Sequence, residues 1–269
     1  MESKPSGHFV YEEESLKEDN IEGKVLSFDD PEQNKSTKIK INKVNRILGN
    51  GSYSKWVAEV NIGIEGDTST EKKTHNMVVK RYREGNTVNA VRNYLKLSYI
   101  NYRILKRIGV PTWVTYRINE QHRLALMTLG EKENGILLTT NDFDNIIKER
   151  QFAENPVLKI ENEGEFIAKV LLILEKLDTH GYKLHPDSYG VIFTPQQNSP
   201  GTYRIDIIVS DLDNLNDSKN PIFIEHYGED LKKRWREENK HNLGTALFGV
   251  FPGNRTQKSR FEKSIISKL

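Results

Sequence analysis

The sequence predicts an α+β fold in which a strand-rich first part is followed by a mainly helical second part. Between residues 38 and 129, short apolar runs alternate with polar residues at the period of strands, and one helical window lies among them. After Gly130, apolar residues recur mostly at three- and four-residue spacings, which is the period of helices. We therefore divide the chain into an N-terminal extension at 1–38, a first lobe at 39–130 and a second lobe at 131–269.

Composition excludes several classes of protein. The 269 residues are enough for one large domain or two small lobes, and 40 basic against 38 acidic residues leave a net charge of only +2. The absence of cysteine excludes disulfides, thiolate metal sites and cysteine nucleophiles. The polar, acidic start is unlike a signal peptide, and no window approaches the roughly 20 apolar residues that span a bilayer. We expect a soluble, cytoplasmic protein whose partners are neither membranes nor nucleic acid.

The first lobe is predicted to contain five strands and one helix. The strands are KIKINKVNRIL (38–48), SKWVAEVNIGI (54–64), THNMVVKRYR (74–83), TWVTYRI (112–118) and RLALMTL (123–129). The alternation of the first strand is clear at Ile39 and Ile41 but fails at Val44. The helix covers 89–108, between the third and fourth strands, and Gly109 ends it.

The second lobe is predicted to combine helices with one strand hairpin. Helical patterns cover NDFDNIIKERQF (141–152), GEFIAKVLLILEKLDTHG (164–181) and LKKRWREENKHNLGTALFGVF (231–251). The middle helix has the most regular apolar stripe, and Gly181 provides its end. GVIFTP (190–195) and YRIDIIVSDLD (203–213) are short apolar runs joined by a polar loop, which is typical of a hairpin.

Four motifs occur in an order that has chemical meaning. GNGSYS (49–54) joins two strands, MVVK (77–80) ends an apolar run with a lysine, and HPD (185–187) follows a helix and its glycine stop. Last, an apolar run leads directly into DLD (211–213). An isolated charge at the end of a buried run is costly unless it has a function or a partner. In this order the motifs resemble those of the protein-kinase-like fold, over roughly residues 38–253.

The resemblance implies a nucleotide site that binds ATP. Gly49 and Gly51 match the first two glycines of the kinase phosphate loop, Tyr53 fits its aromatic tip, and Ser54 replaces the third glycine. By the same resemblance, Lys80 would contact the phosphates. The strand at 123–129 would lead into the hinge between the lobes, so that two residues would border the adenine, namely Met127 and Leu129.

The resemblance also implies where Mg²⁺ and the acceptor hydroxyl would bind. Asp187 resembles the catalytic-loop aspartate that accepts the hydroxyl proton, although a gap-free alignment places Pro186 there instead. Asp211 resembles the metal-binding aspartate of D-F-G, and Asp213 would be a second Mg²⁺ ligand in place of the catalytic-loop asparagine, which is missing. The acceptor would be a hydroxyl of a protein or a small molecule.

The departures from the kinase pattern leave three functions open. Asn101 occupies the position of the helix glutamate that pairs with Lys80, and no acidic residue lies between Glu84 and Glu120. An asparagine can hydrogen-bond an ammonium group but cannot neutralise it, and a carboxylate elsewhere, such as Glu84, is the alternative partner for Lys80. The A-P-E motif is also missing. The chain is accordingly interpreted as an active atypical kinase, with two alternatives: a catalytically dead pseudokinase that serves as a nucleotide-binding or scaffolding module, and an unrelated α+β domain.

Overall fold

A computed structural model describes residues 20–30, 32–49, 54–64, 75–83, 88–112, 116–128, 136–139, 159–197, 201–213 and 215–250, with residues 199, 259, 263 and 267. The chain divides into two compact units. The first unit comprises Met1–Tyr99 and Trp113–Glu133, and the second comprises Ile100–Thr112 and Asn134–Leu269. Among the described residues, no helix is long and apolar enough to cross a membrane.

The first unit is built on a closed barrel of six strands in the order β1-β2-β3-β4-β6-β5. The strands are Val25–Asp30 (β1), Lys35–Gly49 (β2), Ser54–Ile64 (β3), His75–Tyr82 (β4), Tyr116–Asn119 (β5) and Leu124–Thr128 (β6). Five of them were predicted from the sequence. The additional strand β1 lies within the segment assigned to an N-terminal extension, and it pairs with both β2 and β5, which closes the barrel.

Alternating side chains fill the interior of the barrel. Every second residue of β3 from Trp56 to Ile62 is at most 1% exposed, which is the pattern of a strand with one face in a core. Strand β2 is less regular, because its pairing with β3 shifts register near Ile41, Val44 and Ile47. Each such irregularity adds an unmatched residue to one strand and exchanges the two faces locally. The lost alternation at Val44 in the sequence therefore has a structural cause.

Helix α1, Val88–Arg107, follows β4 and contributes residues to both units. Its buried positions include Leu95, Ser98, Tyr102 and Leu105, at the spacings of one helix face. Gly109 follows the helix with φ of 79°, a left-handed conformation that glycine adopts without steric cost. The helix predicted for 89–108 is confirmed.

The second unit packs helices against a small mixed sheet. Its strands are Ile136–Thr139 (β7), Lys159–Ile160 (β8), Tyr182–Lys183 (β9), Tyr189–Pro195 (β10), Thr202–Val209 (β11) and Asn216–Asp217 (β12). Four form a sheet in the order β7-β10-β11-β8, and β9 pairs with β12. The helices are Glu163–His180 (α2), Pro221–Tyr227 (α3) and Leu231–Val250 (α4), with short 3₁₀ turns at Pro186–Ser188 and Gly228–Asp230.

The two longer helices and the hairpin of this unit agree with the sequence prediction. Helix α2 ends at Gly181, whose φ is 71° and whose N–H donates to Asp178 O and Leu177 O. The helical interpretation after Gly130 is wrong at β7, because Ile136–Thr139 is a strand paired antiparallel with β10. The helix predicted for 141–152 lies outside the described residues.

Candidate functional site

In the first unit, Lys80 lies in the middle of a paired strand and not in solvent. Its neighbours across the sheet are Val57 on β3 and Ala125 on β6, and only 9% of the residue is exposed. The strand neighbours of Lys80 that line the barrel core are Met77 and Val79, so the lysine side chain belongs to the opposite face of β4. A buried ammonium group is costly and is kept in proteins for a partner or a function.

Tyr82 lies on the same face of β4, two residues after Lys80. The Nζ atom of Lys80 lies 5.3 Å from the centroid of the Tyr82 ring, within the range of a cation–π interaction. The Tyr82 hydroxyl is 2.8 Å from the hydroxyl oxygen of Ser98 on α1, and both residues are 1% exposed. The lysine, the ring and the helix hydroxyl therefore form one buried series of contacts.

The remaining nucleotide-site predictions of this unit are only partly within the described residues. Gly49 ends β2, where its backbone pairs with Val57. Ser54 begins β3, is 2% exposed, and its carbonyl accepts a hydrogen bond from Arg83 Nε at 3.0 Å. Gly51, Tyr53 and Leu129 lie outside the described residues.

Met127 lies on the same face of the sheet as Lys80. It is 4% exposed and pairs with Val78, and Ala125, two residues before it, pairs with Lys80. The alternate residues of β6, Leu124 and Leu126, line the barrel core. The structure therefore places Met127 and Lys80 together on the outer face of two paired strands.

In the second unit, two asparagines of α4 hold the segment that leads to Asp187. Asn239 is 2% exposed; its Oδ1 accepts from Leu184 N at 3.1 Å and its Nδ2 donates to Tyr182 O at 2.9 Å. One turn later, Asn242 Nδ2 donates to Leu184 O at 2.8 Å. The carboxamide of Asn239 satisfies a backbone donor and a backbone acceptor together, which an ionised aspartate could not do.

Charged and aromatic side chains support the same segment from α4. Lys183 Nζ forms an ion pair with Glu238 at 2.7 Å and lies 5.2 Å from the centroid of the Trp235 ring. Burial raises the pKa of Glu238, but hydrogen bonds from Lys183 and Arg234 outweigh it and hold that pKa below its ordinary value. The backbone before Asp187 is thus anchored by both polar and ionic contacts.

The carbonyl of Ser188 joins the turn containing Asp187 to the segment of Asp211. It accepts hydrogen bonds from Ser210 N at 2.8 Å and from Asp211 N at 3.4 Å. These contacts continue the pairing of β10 with β11, in which Tyr189 faces Val209. Since the two strands are antiparallel, the start of β10 and the end of β11 meet at one edge of the sheet. The structure therefore brings Asp187 and Asp211, two residues singled out in the sequence, to the same edge.

The DLD segment has a definite local conformation. Asp211 Oδ1 accepts a hydrogen bond from Asp213 N at 3.1 Å, and Leu212 between them is 2% exposed. The Leu212 carbonyl accepts from Asn101 Nδ2 at 2.6 Å. The sequence placed Asn101 as a hydrogen-bonding substitute for the glutamate partner of Lys80. In the structure the hydrogen bond described for its amide goes to the backbone of Leu212.

The carboxylates at this edge fit a metal bound together with a phosphate group. Mg²⁺ takes oxygen ligands and is usually held by one or two carboxylates plus substrate phosphates and waters. Asp211 and Asp213 offer carboxylate oxygens of this kind, close together in the chain. Within the described part of the chain, no cluster of three or more His, Asp or Glu residues could hold a metal ion by itself.

The contacts of three residues in these two units were not predicted from the sequence. Tyr82 and Ser98 were not proposed, although the spacing of Lys80 and Tyr82 in a strand puts both on one face. The contact with Ser98 depends on how α1 packs, which no local pattern records. The two backbone contacts of Asn239 depend on how α4 packs, and they were not foreseen either.

Comparisons with known proteins give matches among solved structures only. No family model matches the chain, and no curated protein matches it. The Rio2 kinase-ADP/Mg²⁺-phosphoaspartate complex from Chaetomium thermophilum is 15% identical to this chain. The match covers 85% of this chain and 71% of the Rio2 chain, with a TM-score of 0.40. A second structure of Rio2 kinase from that organism is 15% identical, with coverages of 85% and 73% and a TM-score of 0.38.

The kinase domain of a rhoptry antigen specific to Toxoplasma gondii is 8% identical to this chain. That match covers 98% of this chain and 90% of the kinase domain, with a TM-score of 0.45. The chain is thus similar to solved protein kinases, at low sequence identity.

Proposed function

We propose that this chain is a divergent kinase-like protein that binds ATP with Mg²⁺ and transfers a phosphoryl group to a hydroxyl of a protein or small molecule. The observation that carries the proposal is the pair of hydrogen bonds accepted by Ser188 O, which bring Asp187 and Asp211 to one edge of the sheet. Phosphoryl transfer requires a group that orients the attacking hydroxyl and carboxylates that hold the metal.

Each residue has a chemical role under this proposal. Asp187 accepts the proton of the attacking hydroxyl, and the anchored segment before Asp187 helps to position its carboxylate. Asp211 and Asp213 hold Mg²⁺, which when bound neutralises the charge developing on the phosphate oxygens. Lys80 supplies positive charge to the phosphates from a strand that fixes its backbone on both sides. The adenine is bordered by Met127 and Leu129, and the loop that includes Gly49, Gly51, Tyr53 and Ser54 covers the phosphates.

A second candidate function is a pseudokinase that binds nucleotide without transferring phosphate. The observation that favours it is the hydrogen bond from Asn101 to Leu212 O, which engages the residue aligned with the kinase glutamate in a structural contact. No acidic residue of α1 could replace that glutamate. Both candidate functions share nucleotide binding and differ only in turnover.

Thermal unfolding with nucleotide tests what the two functions share. A ligand at 100 times its Kd stabilises the folded state by about 2.7 kcal/mol, so saturating ATP with Mg²⁺ should raise the melting temperature measurably. The Asp211→Asn variant should lose the Mg²⁺-dependent part of the shift. Asp217→Asn is the control, because Asp217 lies on β12 and accepts a hydrogen bond from Lys219 N instead. No shift with any nucleotide and metal would contradict both functions.

Transfer of labelled γ-phosphate separates the two functions. With candidate acceptors and with the protein itself, the active kinase should show transfer that Asp187→Asn and Lys80→Met abolish. ATP binding without transfer or hydrolysis would instead assign the pseudokinase function.

A further inference from the structure

We propose that Tyr82 is a positioning residue for Lys80: its ring holds the lysine ammonium in place, in a chain whose helix α1 offers no carboxylate for that purpose. The inference rests on the proposed function, because holding the ammonium matters for function only if Lys80 contacts a nucleotide. It concerns contacts within the first unit alone.

The geometry of β4 brings the ring to the ammonium. Residues two apart in a strand point to the same face, so the side chains of Lys80 and Tyr82 are neighbours by construction. The distance of 5.3 Å from Nζ to the ring centroid lies within the range where the electron-rich face of an aromatic ring attracts a cation. Both residues are buried, at 9% and 1% exposure, and little water is present to screen that attraction.

The ring is itself fixed from the helix. The Tyr82 hydroxyl and the Ser98 hydroxyl are 2.8 Å apart in a buried contact, which restricts the ring to one orientation. Ser98 lies on the buried face of α1, between Leu95 and Tyr102. The helix therefore contacts the lysine through Tyr82, whose ring it holds at Ser98.

A ring and a carboxylate hold an ammonium group differently. A carboxylate neutralises the positive charge and takes hydrogen bonds from it, whereas the face of a ring attracts the charge and leaves it in place.

Nuclear magnetic resonance of the full chain with isotope-labelled lysine tests the contact without nucleotide. An ammonium carried above a ring face places the neighbouring ε-methylene protons in the ring-current field, so the Lys80 signal should be shifted upfield. The signal is assigned by its disappearance in Lys80→Met. The shift should persist in Tyr82→Phe and disappear in Tyr82→Leu.

The control variant is Tyr102→Leu, which removes a similar tyrosine elsewhere. Tyr102 is 2% exposed, and its ring has Lys106 Nζ at 5.4 Å from the centroid, so the cost of the substitution to folding is comparable. This variant should leave the Lys80 signal unchanged. A Lys80 signal without an upfield shift in the wild type, or one that Tyr82→Leu does not move, would overturn the proposal.

A double-mutant cycle on ATP affinity tests the consequence for binding. Loss of a buried cation–π contact corresponds to about 5- to 30-fold weaker binding, so Tyr82→Leu should weaken ATP binding by about that factor in the wild-type background. In the Lys80→Met background the same substitution should have little further effect. Equal losses in both backgrounds would show a general structural effect of Tyr82 and overturn its role toward Lys80.

The two experiments also separate this inference from the proposed function. A wild-type chain that binds no ATP contradicts the proposed function, while the lysine signal still decides whether Tyr82 holds Lys80. If the wild-type chain binds ATP but Tyr82→Leu leaves the Lys80 signal unchanged, the proposed function stands and the inference about Tyr82 is overturned.

Discussion

Asn239 offers a direct test of how the segment before Asp187 is held. The perturbation is Asn239→Ala, which removes an acceptor for Leu184 N and a donor for Tyr182 O in a site that is 2% exposed. A buried polar group left without a partner costs about 1–3 kcal/mol. With two groups affected, we expect the free energy of unfolding of the second unit to fall by about 2–6 kcal/mol.

Asn242→Ala is the matched control on the next turn of α4. It removes one hydrogen bond, to Leu184 O, at a position that is only half-buried. Water can replace that donor, so we expect a loss of about 0.5–1.5 kcal/mol. The difference between the two losses therefore reflects both the second hydrogen bond and the deeper burial of Asn239.

The Asn239→Asp variant adds a dependence on pH. An ionised aspartate still accepts from Leu184 N but cannot donate to Tyr182 O, and burial also disfavours its charge. Both effects raise the folded-state pKa of the introduced carboxyl above the unfolded value of about 3.9. Stability relative to wild type should consequently be highest below about pH 4 and fall as the pH rises through the folded-state pKa.

The assay is urea unfolding followed by the fluorescence of Trp235, one turn before Asn239, in a background where Trp56 and Trp113 are replaced by phenylalanine. This probe reports the second unit separately, since two units need not unfold in one transition. The reasoning would be refuted if Asn239→Ala lowered the free energy of unfolding no more than Asn242→Ala does. It would also be refuted if the stability of Asn239→Asp relative to wild type did not change between pH 4 and pH 7.

Three further predictions concern single positions. Gly181→Ala should destabilise the chain more than Gly109→Ala in urea unfolding. Both glycines adopt positive φ, a conformation that costs alanine about 1–2 kcal/mol. Only at Gly181 would the added Cβ also overlap the side chain of Ser218. Burial raises the pKa of Tyr189 above 10, so the folded state keeps a proton that the unfolded state loses, and the melting temperature should fall above about pH 10, less steeply in Tyr189→Phe. Asn162→Ala, which removes hydrogen bonds to both Ile205 N and Ile205 O, should lower the free energy of unfolding by about 1–3 kcal/mol, and an unchanged urea midpoint would show that these bonds contribute nothing.

The local pattern of apolar residues was sufficient to predict a helix or strand where one face of that element is buried. The stripe of α2 and the alternation of β3 follow from a single core face, and the structure confirms both elements. Strand β1 was missed because residues 1–38 are dominated by charged and polar residues, although Leu26 and Phe28 alternate with exposed positions inside that segment. Strand β7 was missed because three apolar residues followed by a threonine, without alternation, do not distinguish a strand from a helix turn.

The candidate site shows the same limit. Asp187 and Asp211 could be singled out because HPD and DLD resemble kinase motifs, and the hairpin then brings the two residues to one edge. Three sets of hydrogen bonds arise from tertiary packing between distant segments: those from Ser210 N and Asp211 N to Ser188 O, those of Asn239 with Leu184 and Tyr182, and that between Tyr82 and Ser98. Such contacts produce no periodic pattern of apolar residues, so they could not be predicted from the sequence.

Calorimetric titration of ATP into the full chain, with and without Mg²⁺, tests the central claim most directly. The account predicts saturable binding that Mg²⁺ strengthens, and an Asp211→Asn variant in which Mg²⁺ no longer strengthens it while the Asp217→Asn control behaves as wild type. Absence of binding under both conditions, or binding that Mg²⁺ strengthens equally in Asp211→Asn, would contradict it.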